Sequence, residues 1–499
     1  MSGKKMARFL LVLVVAVTLV ATACAEEEEE GVVADFSASP TSGTVPLDVS
    51  FTDQSTGDIT AWEWDFETDG IVDSTVQNPS HTYEALGTYT VSLTVTGTEE
   101  GDTDTKTRGN YIKVEAAPPL RIGHANSFTG DLSDFCATHR NGATLAVDHI
   151  NLAGGILGTV VSMVSRDTAT TPAVGVDAAN TMVNTDHVVA IVGALSSGVT
   201  IAIANSVTIP NSILQITAAS TSPAVTVLDD DDFVFRTTVS DAAQGVILAR
   251  LALELDYNTA SALYVNNAYG QGLAEAFEDA YEDEGGTVLE LVPHESLQPT
   301  YASELSAATA GNPDVLLCLS YPESAEVYLR EALEGGYIDT FLFCDGTKSP
   351  DMNEAVGWEL LEGTYGTCAG TEATAITLAF SEAYELAFGV PLPPMPYIDT
   401  TYDSIVLIAL AAAKAGTTTD SAAIRDALRD VANPPGEVVG PGVAGIARAL
   451  ELIAAGEDIN YEGAGGSQDF DENGDIISTI EIWKIEGGEI VSTGRYELP

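Results

Sequence analysis

The sequence predicts an all-β sandwich followed by a two-lobed α/β region. Three observations carry this. From about Val33 to Glu115, "VSFTDQS", "AWEWDFE", "TYTVSLTV" and "YIKVEA" alternate apolar and polar residues, with Gly, Asp, Asn and Pro between them. From Leu120, short apolar runs alternate with helical stretches, the order of a parallel sheet covered by helices. That alternation starts afresh near Asp241, and roughly 380 residues suit two sheets with a cleft better than one sheet.

Taken in order, the chain opens with a basic cluster, Lys4, Lys5 and Arg8, and an apolar run, Phe9–Ala23. The run is shorter than the about 20 residues a membrane span needs. It ends in "VATAC", which resembles a bacterial lipobox. That resemblance implies a lipoprotein signal peptide over 1–23, cleaved so that Cys24 carries lipid. Two acyl signals give stable anchoring where one is marginal. The "AEEEEEG" that follows belongs to an acidic, solvated tether over 24–32. No later segment is apolar for long enough to span a bilayer. The protein is therefore expected outside the cytoplasm, lipid-anchored to the cell membrane at Cys24.

The formal net charge is −55, from 74 acidic and 19 basic residues. Nucleic-acid binding rests on neutralising phosphates, and no basic stripe offers it. The acidity suits a saline habitat, where screening shortens repulsion; lineage composition explains it equally.

Within residues 33–115, "FSASPTSGTVPLDVSFTDQST", "WEWDF" and "NPSHTYEALGTYTVSLTV" resemble a PKD domain. The resemblance implies an immunoglobulin-like sandwich that serves as a spacer or surface-interaction module, with Trp64 in its core. "AAPP" (116–119) is a short stiff linker.

In the α/β region two strand ends stand out. "IVGALSSGVT" closes a strand at Leu195 and opens a helix with Ser196 and Ser197. "ILQITAASTSP" closes a strand at Ile216 and presents Ser220 and Thr221. Ligands of parallel sheets sit beyond the carboxyl ends of strands, and helix starts there suit anions. A helix N-cap explains either hydroxyl cluster alone; the same chemistry at two adjacent junctions favours an anion site. Cys344 and Cys368 each lie near the end of a predicted strand and are a candidate disulfide. Cys318 in "DVLLCLS" reads as a buried small hydrophobe.

Residues 120–499 resemble the type 1 periplasmic substrate-binding proteins, in particular the branched-chain amino-acid (Leu/Ile/Val) receptors of ABC importers. The motifs are "SFTGDLSDFCATHRNGATLAVDHINLAGGILG", "VGALSSGVT", "ITAASTSPAVT", "FRTTVSDAAQG", "NAYGQGLAEAF", "FLFCDG" and "FDENGD…IEIWKIEGGEI". The resemblance implies lobe 1 over about 120–238 and 372–456, and lobe 2 over about 241–370 and 466–499. Phe235–Ser240 and the stretch near Gly370 are the expected hinges.

It also implies a set of site residues. Ser197 holds a ligand carboxylate; Ala219 offers a carbonyl, and Thr221 a hydroxyl and N–H. Asp345 pairs with an α-ammonium, standing where the leucine-type receptor has Glu. Tyr269 and Tyr321 close over the ligand from the second lobe. Phe135, Leu195, Ser196 and Tyr397 line the side-chain pocket.

The expected function is capture of an amino acid, branched-chain or similar, by hinge closure and delivery to ABC permease and ATPase subunits. The alternative is sensing of amino acids or related amides and acids without transport. The protein is expected to be a monomer with no cofactor and no metal. An enzyme is disfavoured, since "GALSSG" is not G-x-S-x-G and the histidines show no H-E-x-x-H spacing. "DFDENGD" (Asp469–Asp475) mimics the start of an EF-hand loop, but its twelfth position is Ile480 rather than Glu. It reads as a turn.

Overall fold

The computed structural model describes residues 31–499. The basic leader, Cys24 and the glutamate run to Glu30 lie outside the described residues. Two compact units appear, divided mainly at Lys113–Val114.

The first unit is the predicted sandwich. One sheet pairs Phe36–Ser39, Leu47–Asp53 and Ser80–Tyr83; the other orders Ser42–Thr44, Thr103–Glu115, Gly87–Gly97 and Ile59–Asp65. Alternation explains its interior. In Leu47–Asp53 the apolar Leu47, Val49 and Phe51 are buried and the residues between them face out. Trp64 is fully buried, edge-on to Phe36 at 5.2 Å, and its indole N–H donates to the Val76 carbonyl.

The second unit holds two large sheets built on one plan and a small one of Glu437–Val439, Ile459–Gly463 and Gly466–Ser467. The first is five-stranded and parallel, in the order Val234–Arg236, Leu214–Thr217, Ala190–Gly193, Leu120–Asn126, Val161–Asp167. Strand order reverses between Leu120–Asn126 and Ala190–Gly193, which opens a crevice at their carboxyl ends. The second sheet is seven-stranded. It runs Thr287–His294, Thr259–Val265, Val315–Leu319, Phe341–Phe343, Tyr365–Ala369, then the antiparallel Ile480–Glu486 and Glu489–Glu497. Its order reverses between Thr259–Val265 and Val315–Leu319.

Near-continuous apolar runs mark these strands because helices cover both faces. The helix Ile398–Ala415 is buried from Thr400 to Ala412 and packs with the helix Cys136–Leu152 in the first sheet's core. The chain passes between the sheets after Arg236, after Ala369 and before Ile480, so three crossings form the hinge.

Cys344 and Cys368 do not pair; both are free thiols. Their strands are neighbours, but the thiols enter different cores on the sheet's two faces. Cys344 Sγ sits 3.1 Å from the Tyr269 hydroxyl. Cys368 Sγ lies 3.2 Å from Lys348 Nζ, which also pairs with Glu481 at 2.6 Å. Cys318 is fully buried. "DFDENGD" is a turn, in which Asp471 accepts from the backbone N–H groups of Asn473 and Asp475.

Candidate functional site

Both crevices face one cleft. From the first sheet come the ends of Ala190–Gly193 and Leu214–Thr217, carrying Leu195–Ser197 and Ala219–Thr221. From the second come the ends of Thr259–Val265, Val315–Leu319 and Phe341–Phe343, carrying Tyr269, Tyr321 and Asp345. Phe135 reaches in from the start of the helix Cys136–Leu152, and Tyr397 from the residue before Ile398–Ala415. One cavity is lined by Phe135, Leu195, Ala219, Tyr269, Tyr321, Asp345 and Tyr397 together with Leu132, His139 and Gly346. Ser196, Ser197 and Thr221 are buried beside it rather than in its wall.

The shelf hydroxyls divide into two kinds. Ser220 Oγ is bound to Thr200 Oγ1 at 2.7 Å and to the Ala194 carbonyl at 3.1 Å. Ser222 is a helix N-cap, accepting from Ala224 N–H, and it donates to the Ala268 carbonyl of the other lobe at 2.7 Å. Both are structural. Ser196 stands at a helix N-cap but makes no side-chain cap bond; it accepts instead from the Tyr321 hydroxyl across the cleft at 3.1 Å. Ser197 Oγ accepts from Ser222 N–H at 3.3 Å. Thr221 Oγ1 is buried and completes no well-formed hydrogen bond among the described residues; the carboxyl group near it is that of Asp241.

Asp345 is the best-satisfied charge in the cleft. Its carboxylate accepts from the Tyr269 hydroxyl at 2.8 Å, the Gln244 amide at 2.9 Å and the Tyr397 hydroxyl at 2.8 Å. Burial nonetheless pushes its carboxyl upward, against the pull of those donors. Tyr321 stacks on Tyr269 with centroids 5.4 Å apart and planes 8° from parallel.

Asp241, first residue of the helix Asp241–Glu254, is fully buried; among the described residues neither carboxylate oxygen completes a well-formed hydrogen bond, and the Thr221 hydroxyl lies close enough to draw the carboxyl slightly down. Burial and then the charge of Asp345 push its carboxyl well above the usual range. Among the described residues no lysine or arginine lines the cavity. Arg236 is nearby but occupied: its guanidinium holds the carbonyls of Thr221 and Ser222 at 3.1 Å and pairs with Asp475 at 2.5 Å. The site therefore lacks positive charge opposite two carboxyl groups.

The lobes are closed on each other at the cleft mouth. Asp131 accepts from Ser324 N–H at 2.9 Å and from its hydroxyl at 2.7 Å. Glu323 accepts from the Ser133 hydroxyl and from Asp134 N–H, and Asp134 accepts from the Ser349 hydroxyl. Burial raises Glu323 to about 7; burial, with Asp351 adding to it, raises Asp134 to about 6.

His139, Leu132, Asp241, Gln244 and this mouth were missed by sequence reasoning. His139 follows Phe135 by one helical turn, a spacing that marks a shared face. Asp241 lies inside "FRTTVSDAAQG", which directed attention to a hinge.

Residues 119–489 match the family model described as periplasmic binding protein, and residues 30–114 match the PKD domain model. The chain belongs to the periplasmic binding protein family. These binding proteins serve transporters and receptors and are not enzymes.

Among the relatives is the chemotactic signal transduction system substrate-binding protein BasB of Halobacterium salinarum. It is 30% identical over 397 residues, covering 76% of this chain and 92% of that protein. Leu/Ile/Val-binding protein homolog 3 of Brucella melitensis is 27% identical, over 74% of this chain and 93% of its own length. In fold, this binding protein is similar to LivJ of Streptococcus pneumoniae, solved with isoleucine. The TM-score is 0.64 at 22% identity, covering 77% of this chain and 100% of that one. Among the described residues no helix is long and apolar enough to cross a membrane.

Proposed function

We propose that this protein captures an α-amino acid by closing its two lobes and presents it, lipid-anchored through Cys24 outside the cytoplasm, to a membrane partner. The carrying observation is the buried carboxyl of Asp345 in the cavity wall, with the buried carboxyl of Asp241 within reach of its charge and, among the described residues, no lysine or arginine in that wall. A buried charge is tolerated when paired, and an ammonium placed between these groups pairs both. Thr221 Oγ1, the Ala219 carbonyl and Ser197 are the groups assigned to the rest of a zwitterionic head group, supported by Ala219 lining the cavity and by Ser197 being tied to the same shelf through the Ser222 N–H. Charged hydrogen bonds in a dry cleft contribute about 1.5–3 kcal/mol each, and a few reach the about 8 kcal/mol of micromolar binding. Contacts from both lobes favour the closed form by their differential affinity for it.

Two membrane partners fit. Delivery to an ABC permease is supported by the likeness to Leu/Ile/Val-binding proteins. Signalling to a chemotaxis receptor follows from the relative named for chemotactic signal transduction. A thermal-shift screen of amino acids and non-amine acids tests the ligand class. An α-amino acid is expected to raise the melting temperature; if only a non-amine acid does so, the ammonium role of Asp345 is wrong. Membrane cross-linking of the lipid-anchored chain, with the captured protein identified, separates permease from signalling receptor.

A further inference from the structure

His139 has a polar atom that no group among the described residues uses. It is fully buried on the helix Cys136–Leu152 and lines the cavity. Its ring lies nearly parallel to Phe135, centroids 6.0 Å apart at 19°, and nearly perpendicular to Tyr397 at 6.4 Å and 75°. These neighbours fix the ring plane. Nε2 is 3.1 Å from the Pro396 carbonyl oxygen.

A carbonyl oxygen only accepts, so Nε2 carries a proton. Burial pushes the imidazole down to about 4, so no second proton is held near neutral pH. Nδ1 is therefore a bare lone pair, and it is buried without a partner. Buried acceptors are nearly always satisfied, and an exception points to something that completes it. Tyr397, the nearest hydroxyl-bearing neighbour by ring contact, already donates to Asp345. Leu132, Phe135 and Leu195, also in the cavity wall, have no side-chain donor.

The geometry points to a ligand side chain that carries a hydrogen-bond donor, a hydroxyl, thiol or amide N–H, received by His139 Nδ1. His139 is then the residue that selects a short polar amino acid over an aliphatic one of the same shape. This rests on the amino-acid reading above and narrows it. A site built to bond a donor rejects an isostere that lacks it, because the isostere leaves the acceptor unpaired. A plain apolar pocket cannot make that distinction strongly.

Isosteric pairs test it on the ligand-stripped full chain by titration calorimetry: threonine against valine, asparagine against leucine. At least one polar member is expected to bind about tenfold or more tighter than its partner. In His139→Leu that ratio should collapse, with the aliphatic member unchanged or improved. Valine and leucine binding as well as or better than threonine and asparagine overturns the inference while leaving the amino-acid reading intact. A ratio that survives in folded His139→Leu overturns it too. Should that variant fail to fold, the ratio in the unaltered protein decides. If no α-amino acid binds, the broader reading falls and this inference with it.

Discussion

Thr221 and Ser220 look alike in sequence and differ completely in place. Ser220 has its hydroxyl bound to Thr200 and Ala194, while Thr221 Oγ1 is buried without a well-formed hydrogen bond among the described residues. The two substitutions should therefore separate. Thr221→Ala is expected to weaken amino-acid binding about tenfold or more, with a smaller change in melting temperature than Ser220→Ala, since the protein loses only a poorly formed contact to Asp241. Ser220→Ala leaves the buried Thr200 hydroxyl short of a partner and should lower stability first. Calorimetry beside thermal melts reads the contrast; equal affinity in Thr221→Ala returns that threonine to a packing role. The cavity wall of Phe135, Leu195, Ala219, Tyr269, Tyr321, Asp345 and Tyr397 was legible because each sits in a motif at a strand or helix end. His139 and Asp241 were not, because their significance is an unpartnered atom, and satisfaction of a hydrogen bond is a property of three-dimensional neighbours.

At the scale of elements, the loop carrying Asp131–Asp134 and the helix Pro322–Gly335 form a latch whose strength depends on pH. Glu323 meets Ser133 and the Asp134 N–H, with the charges of Asp131 and Asp134 also facing it. Its carboxyl rises to about 7 in the closed form. An acid raised on closure favours the closed form below its ordinary open-state value and loses that contribution as pH rises through about 7. Ligand affinity should thus gain from the latch between pH 8 and pH 6. Glu323→Gln, neutral throughout, should flatten that part of the profile by a few-fold relative to the unaltered protein. Identical pH slopes in the two proteins would show that the latch does not titrate. The strand-helix alternation was readable from periodicity; the latch was not, since its partners lie 190 residues apart in sequence. The Cys344–Cys368 expectation failed for a related reason. Both cysteines do lie near strand ends, and the strands prove to be neighbours, but pleating sends the two thiols to opposite faces.

At the scale of the molecule, 74 acidic groups against 19 basic ones make self-repulsion a term in folding. Screening shortens its range from about 10 Å at 0.1 M salt to about 3 Å at 1 M. The melting temperature should therefore rise by several degrees between those salt concentrations, sodium and potassium chlorides acting alike. A flat or falling curve would mean that the acidic surface is already neutralised by its own arrangement. The two-unit organisation was visible beforehand as a change of texture at "AAPP", where period-two patterning gives way to strand-helix alternation.

Arg236 ties these scales together. It grips the Thr221 and Ser222 carbonyls with one nitrogen, and Thr226 and Asp475 with another. The ligand shelf, set near residue 220, is thus buttressed by a residue more than 250 positions later in the chain. During synthesis the shelf stays unbraced until nearly the whole polypeptide has emerged. The turn ahead of the last strands thus completes a brace on a shelf laid down near the middle of the chain.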